Sequence, residues 1–403
     1  MYNSPVLSID VSKSKSFAAS FLSYGEPYHK PFSFCHSPDG TALLLERLNE
    51  LEGITGYKPR VVLEATGNYS KPISSFFEQA GYQVAVLNPI MTHQLKRKCI
   101  RKVKTDPIDA NRIAQVFYLS SDLRFSSSLP DTIADLRNLC RHYDGLNSVY
   151  TDLQLRFRAT LDLVFPNYDT VFSHVCCKTS LELIRAFPSP NAVLSAGRDE
   201  LVRILLASKH PLKWIDEKIN ILLAAARESL PSNQSQHSNT RVLKDYISLL
   251  LTHQNILDDL RAQIIAQAKL SPVFQLLKSI PGVGDLTAAI ILSEIGDVNR
   301  FITVKQLVAF AGLDPSVFQS GKFNGSNNKI SKRGSSYLRK ALYQATVAGI
   351  SKRKNGPANP VLFDFYSKKL SDGKSPKVAI IAACGKLLRL VYGIWPGGQP
   401  FKV

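Results

Sequence analysis

Apolar residues alternate with polar ones, or form short runs closed by a charge, over the first ninety positions; a helical period takes over beyond them. Residues 6 to 11, Val-Leu-Ser-Ile-Asp-Val, predict a strand that ends at Asp10. Residues 16 to 22 predict a second strand, and Pro31 to Cys35 a third. Leu43, Leu44, Leu48 and Leu51 share one face of a helix over roughly 39–52. Residues 60–64 form an apolar strand closed by Glu64. A helix over 69–79, a strand over 83–87 and a helix over 106–119 follow. Three strands with hairpin-like connections, then helix, strand, helix, strand, helix, is the order of a ribonuclease-H-like mixed sheet, an α/β arrangement.

Beyond Asp131 the pattern is purely helical. Leu139, Tyr143, Leu146, Tyr150, Leu153 and Phe157 recur four and three residues apart, a coiled-coil seam. A second seam runs through Leu243, Tyr246, Leu250, Leu257, Leu260 and Ile264. Residues 173–230 between them read as irregular helices, and the polar stretch 231–239 as a loop. Leu276 to Leu292 is an apolar helix, a Pro-Gly-Val-Gly turn and a second apolar helix, the pattern of a helix-hairpin-helix. The expected domains are 1–125, a helical coiled-coil linker over 126–270, and an α-helical C-terminal domain over 271–403.

Charge changes the picture. The 403 residues carry a formal net charge of +18, with ordinary hydrophobic (44%) and charged (20%) fractions for a water-soluble fold. Between 301 and 403 there are 17 Lys and Arg against 3 Asp and Glu. Such an excess calls for a polyanion, most simply nucleic acid. No apolar run of 18 or more residues predicts a membrane span, and no signal peptide opens the chain. Six scattered cysteines, Cys35, Cys99, Cys140, Cys176, Cys177 and Cys384, without zinc spacing, predict free thiols in a reducing compartment.

The chemistry follows from four carboxylates. Asp10 and Glu64 end strands, and the active site of such a sheet lies at the carboxyl ends of its strands. Lys104-Thr-Asp-Pro-Ile-Asp-Ala110 reads as the first turn of a helix that places Asp106 and Asp109 on one face. Four hard oxygen donors suit Mg²⁺ or Mn²⁺ and support phosphoryl transfer. Lys96, Arg97, Lys98, Arg101, Lys102 and Lys104 crowd just upstream, as a nucleic-acid contact would. Gly282 and Gly284 would let the backbone approach a phosphate. The segment 320–336, rich in Ser, Gly and Asn, interleaves Lys322, Lys329, Lys332 and Arg333, with Arg339 on the next helix; it suits phosphate binding or a hydroxyl nucleophile at Ser320. A metal-dependent nuclease or Holliday-junction resolvase would need the acids without the serine. A non-catalytic nucleic-acid-binding protein would need neither. A kinase-like ATPase lacks support, because no glycine-rich phosphate loops accompany Asp10.

LSIDVSK with Asp10, VVLEATGNY with Glu64, KTDPIDA, IPGVGDLTAAIILSEIGDVNRF, VAFAGLDPSVFQSG and KISKRGSSYLRKALYQA occur in that order. Together they resemble the DEDD transposases of bacterial insertion sequences, the group that includes the pilin-gene invertase and the bridge-RNA-guided recombinases. The resemblance covers roughly 1–165 and 270–390. It implies a RuvC-like N-terminal domain carrying Asp10, Glu64, Asp106 and Asp109, and a C-terminal transposase domain with Ser320 as nucleophile, attacking a DNA phosphate to form a phosphoserine link. It also implies donor and target DNA, a structured non-coding guide RNA, a homo-oligomer (dimer or tetramer) with a site shared between protomers, and a bacterial cytoplasmic location.

Overall fold

Strand β1 (Val6–Asp10) is buried on both faces up to Asp10, and the chain builds a layer on each side of it. The computed structural model describes residues 4–98, 105–120, 123, 125, 130–232, 236–315, 319–320, 323–324, 329–354 and 356–402; of residues 94, 96–98, 319, 320, 323 and 324 the backbone alone is described. The chain packs as two units, Met1–Ser128 and Leu129–Val403.

In the first unit, β1, β2 (Lys15–Ser23), β3 (Glu26–Cys35), β4 (Arg60–Glu64) and β5 (Gln83–Leu87) form one sheet in the order β3-β2-β1-β4-β5. β1, β2 and β3 pair antiparallel, while β1, β4 and β5 run parallel. β3 begins five residues earlier than the sequence predicts and carries Pro27 and Pro31. It is an edge strand, where a missing amide donor costs nothing. Leu7, Ile9, Val61 and Leu63 face one layer with Leu44 and Leu48 of α1 (Pro38–Thr55) and Phe77 of α2 (Ser70–Gln79). Each such buried side chain is worth about 1.5–3 kcal/mol. Val6, Val62, Ala85 and Leu87 face the other layer, against Ala110, Ile113, Ala114 and Phe117. Those four belong to α4 (Asp106–Leu119), which follows α3 (Pro89–Lys98).

The second unit hangs on two long helices, α5 (Asp131–Val164) and α9 (Gln236–Ala268), of 34 and 33 residues. They run antiparallel: Gln267 Nε2 donates to the Thr132 carbonyl and Gln254 Nε2 to the Tyr150 hydroxyl. One end of the pair shares a core with α6 (Lys178–Ala186), α7 (Pro190–Leu206) and α8 (Leu212–Glu228), centred on Phe165, Tyr168, Ile184 and Ile219. The other end shares a core with α10 (Pro272–Lys278), α11 (Asp285–Ile295), α12 (Val304–Phe310), α13 (Ser336–Ile350), α14 (Pro360–Ser371) and α15 (Pro376–Gly397). Two short hairpins punctuate this end, β6 (Gln319–Ser320) with β7 (Phe323–Asn324), and β8 (Lys352–Arg353) with β9 (Gly356–Pro357).

By length and composition alone, α15 is long and apolar enough to cross a membrane. Its Cys384, Leu387, Leu388 and Val391 lie in the shared core, and Lys377, Lys386 and Arg389 interrupt it. The described cysteines are all free thiols; Cys99 lies outside the described residues. Burial pushes the thiols of Cys140 and Cys384 up to about 11, so neither offers a thiolate near neutrality.

Candidate active site and nucleic-acid interface

The parallel register of β1 and β4 matches Ile9 with Leu63, which sets Asp10 and Glu64 side by side one rung on, at the carboxyl ends of neighbouring strands. Side chains alternate along a strand. Val6 and Val62 face α4, so Asp10 and Glu64 face α4 as well. The Ser8 hydroxyl, on the same face two residues before Asp10, donates to the Ala110 carbonyl at 2.8 Å. That bond pins the first turn of α4 over the end of β1. The turn carries Asp106, exposed, and Asp109, 8% exposed. Pro107 sits inside it, where no amide donor is needed.

The acids differ in what holds them. Asp109 accepts from Arg112 Nη1 at 2.9 Å, in a pair that is almost fully buried. Glu64 Oε2 accepts from the Thr92 hydroxyl at 2.6 Å. Asp10 and Glu64 are both partly exposed. Among the described residues no group of three or more His, Cys, Asp or Glu stands ready to hold a metal. Asp10 and Glu64 are neighbours on one face, Asp106 and Asp109 lie in the first turn of the helix pinned over that face, and Asp109 is committed to Arg112.

Thr92 and α3 escaped the sequence reading, because Pro-Ile-Met-Thr-His-Gln-Leu-Lys-Arg-Lys has no sustained apolar face. α3 connects the site to the basic run: Thr92 bonds Glu64, and the backbone of Lys96, Arg97 and Lys98 continues the same helix. Arg101, Lys102 and Lys104 lie outside the described residues.

Ser320 belongs to the second unit. Its backbone pairs with Phe323 at the last rung of the β6–β7 hairpin. Lys322 lies outside the described residues. A tight neck gathers the chain on either side of the hairpin. Pro315 bridges Ile330, the Ser331 amide donates to the Asp314 carbonyl at 2.8 Å, and the Ser335 amide donates to the Phe310 carbonyl at 2.8 Å. Gly334 makes this possible, since a Cβ there would stand 1.9 Å from the Phe310 carbonyl oxygen. Arg339 is a fastener of the neck, donating through Nη1 to the Ala311 carbonyl at 2.9 Å. Lys329, Lys332 and Arg333 are exposed along it, Lys332 with a left-handed backbone at φ 54°.

Behind the neck lies a polar hub that the sequence reading missed. Glu294 of α11 is 0% exposed. Arg141 grips it with two bonds of 2.7 and 3.0 Å, and the Ser335 hydroxyl donates to it at 2.8 Å. Ser335 also caps α13 by accepting from the Leu338 amide. Arg137 donates to the carbonyls of Ser293 and Glu294. The Glu294 bond raises the Arg141 pKa, while burial lowers that of Arg137. Arg141, Glu294, Tyr337 and Lys340 line a cleft of about 150 Å³. Glu294→Ala strands Ser335 and half-exposed Arg141. It is expected to destabilise the chain by about 2–4 kcal/mol, less than a fully buried pair would lose. Thermal denaturation of the full chain should show the transition fall by about 5–10 °C, with Glu294→Gln intermediate. An unchanged transition in Glu294→Ala would remove the hub from the folding account.

The Pro-Gly-Val-Gly turn joins α10 to α11. Gly282 has φ 101° and packs on α13: a Cβ there would meet the Ala345 carbonyl oxygen at 2.6 Å and Gly349 at 2.7 Å. Its close neighbour is protein backbone. Gly284 is exposed and precedes Asp285, which pairs with Lys278 at 2.6 Å.

Two family models match this chain. A model described as a DEDD-type transposase of the IS110 kind matches residues 7–166, and the model of the IS116/IS110/IS902 transposase family matches residues 274–360. The chain belongs to the IS110-type transposase family. The transposase is 26% identical over 326 residues to the insertion element IS110 43.6 kDa protein of Streptomyces coelicolor, covering 80% of this chain and 78% of that one. It is 28% identical over 223 residues to the transposase of insertion sequence IS1111A of Coxiella burnetii, covering 54% of this chain and 57% of that relative. It is 34% identical over 126 residues to the pilin gene-inverting protein of Moraxella bovis, covering 31% of this chain and 38% of that relative. The two model matches bracket the regions that carry the acids and the neck.

Proposed function

We propose that this transposase moves or inverts a DNA segment by cutting and rejoining strands, with Asp10, Glu64, Asp106 and Asp109 holding Mg²⁺ or Mn²⁺ and Ser320 as nucleophile. The observation that carries the metal half is the register that sets Asp10 beside Glu64 on the face covered by the first turn of α4. The strand order supports a ribonuclease-H-like reading of the first unit. A bound cation would polarise the phosphate and activate the attacking oxygen. Thr92 orients Glu64 for that task, and Arg112 holds Asp109. The hydroxyl of Ser320 attacks phosphorus, the 3′ or 5′ oxygen leaves with a proton, and a phosphoserine bond conserves the energy for rejoining. Guidance by a structured RNA, assembly as a dimer or tetramer, the coiled-coil seam and the helix-hairpin-helix role of α10 and α11 belong to the same reading.

A strand-exchange assay tests it, using the full chain, DNA carrying the element ends, RNA transcribed from those ends, and Mg²⁺. Recombinant joints that need both the RNA and the cation are expected. Joints formed equally well without RNA would remove guidance from the reading. Cleavage of branched junctions without rejoining would favour a resolvase instead.

A further inference from the structure

The last quarter of the chain holds most of the excess positive charge, and one piece of it is unusually well braced. β8 and β9 form a hairpin whose outer residues are Lys352, Arg353 and Lys354, all exposed. Among the described residues no ion pair joins any of the three to a carboxylate. Only Asp314, Asp364 and Asp372 carry negative charge between 301 and 403, and Asp372 is paired with Lys369. Three adjacent like charges repel, and a solvated run would relieve that by moving apart. This hairpin is held instead. The Ala358 amide donates to the Ser351 carbonyl at 3.0 Å, and the Asn359 amide to the Gly349 carbonyl at 2.8 Å. The Asn359 side chain, 0% exposed, donates through Nδ2 to the Pro281 carbonyl at 3.1 Å and accepts from the Leu362 amide at 3.1 Å.

Asn359 therefore fixes the hairpin to the Pro281–Gly282 turn, and Gly282 packs on Gly349 just before the hairpin begins. Two features 70 residues apart in sequence become one surface. On it, the first residue of α11 is Asp285, a carboxylate paired with Lys278. That carboxylate works against phosphate binding at the helix terminus and leaves the hairpin to offer cations.

We propose that Lys352, Arg353 and Lys354, braced by Asn359 on the Pro281–Gly282 turn, form a sequence-independent contact for the phosphate backbone of duplex DNA. The inference rests on the reading of the chain as a DNA-acting transposase. It assigns DNA binding to a hairpin outside the acids and the Ser320 neck.

The test measures binding of the full chain to a duplex of random sequence across a salt series. The K352Q/R353Q/K354Q variant is expected to lower the magnitude of the log–log salt slope by about 2–3 and to weaken binding about tenfold or more at moderate salt. Its melting transition should stay within about 2 °C of the parent, since all three side chains are exposed and Lys352 gives up only its place over the Phe363 ring. A control, R203Q/K213Q/R227Q, removes three exposed cations from α7 and α8. It should leave the slope within about half a unit. Equal loss in the two variants overturns the proposal, because net charge alone would then act. Loss on duplex RNA with none on DNA overturns it too. If the parent chain binds no DNA, the transposase reading itself fails; if the parent binds and the hairpin variant binds equally with the same slope, the hairpin assignment alone fails.

Discussion

Asp10→Asn is expected to abolish DNA strand cleavage in Mg²⁺ while DNA binding and folding survive. Asp10 and Glu64 occupy matching positions at the ends of paired parallel strands, and both face the helix that carries Asp106 and Asp109. A metal held there would supply several kcal/mol of transition-state charge stabilisation, so loss of one carboxylate should cost about a thousandfold or more in rate. The same neighbours predict a second, opposite effect. Two carboxylates at matching positions on neighbouring strands repel, and like charges directly opposite destabilise a sheet by about 0.2–1 kcal/mol. Asp10→Asn should therefore leave the melting transition unchanged or raise it in metal-free buffer. Mg²⁺ should raise the transition of the parent chain and not that of the variant. Full cleavage by Asp10→Asn in Mg²⁺ would sink the metal site. A lowered melting transition would show that Asp10 serves the fold rather than a cation.

The elements around this site were legible in the chain because each is closed by a residue with a physical reason to sit there. Buried apolar runs end at Asp10 and Glu64, so the limits of β1 and β4 follow from the first charged side chain. Pro107 inside the first turn fixes where α4 starts. The helical character of α5 and α9 follows from their four-and-three spacing, and the two helices lie against one another. Other features depend on partners distant in sequence, which periodicity does not carry. α3 shows no apolar stripe, and its place beside Glu64 rests on one hydroxyl bond from Thr92. Arg137, Arg141, Glu294 and Ser335 each resemble surface residues in a linear reading. Their identity as a hub emerges only where α5, α11 and α13 meet. Gly282 resembles a glycine that admits a phosphate, and its close approach is to α13. Arg339 resembles a free cation, and one of its guanidinium nitrogens is committed to the Ala311 carbonyl.

Ser320→Ala is expected to eliminate the covalent protein–DNA adduct and all strand rejoining, with DNA affinity within about twofold of the parent. The neck explains why the change should be so selective. Phe310 to Pro315 and Ile330 to Ser335 are tied by backbone bonds that do not involve Ser320, and Glu294 supports that neck through Ser335. The hairpin that carries Ser320 has two paired rungs, so losing one hydroxyl there leaves the core and its melting transition intact. The acids are predicted to retain their cation in this variant, which separates two chemistries in one experiment. If Ser320 is the attacking atom, denaturing gels of the reaction mixture show neither adduct nor nicked DNA, because nothing else opens the phosphodiester. If water attacks at the four acids, nicking persists in Ser320→Ala at the parental rate and no adduct forms in either protein. An adduct that persists in Ser320→Ala would place the nucleophile elsewhere. Mixing the Asp10→Asn and Ser320→Ala proteins is expected to restore part of the activity, as a site shared between protomers requires; no restoration would remove the shared site from the reading.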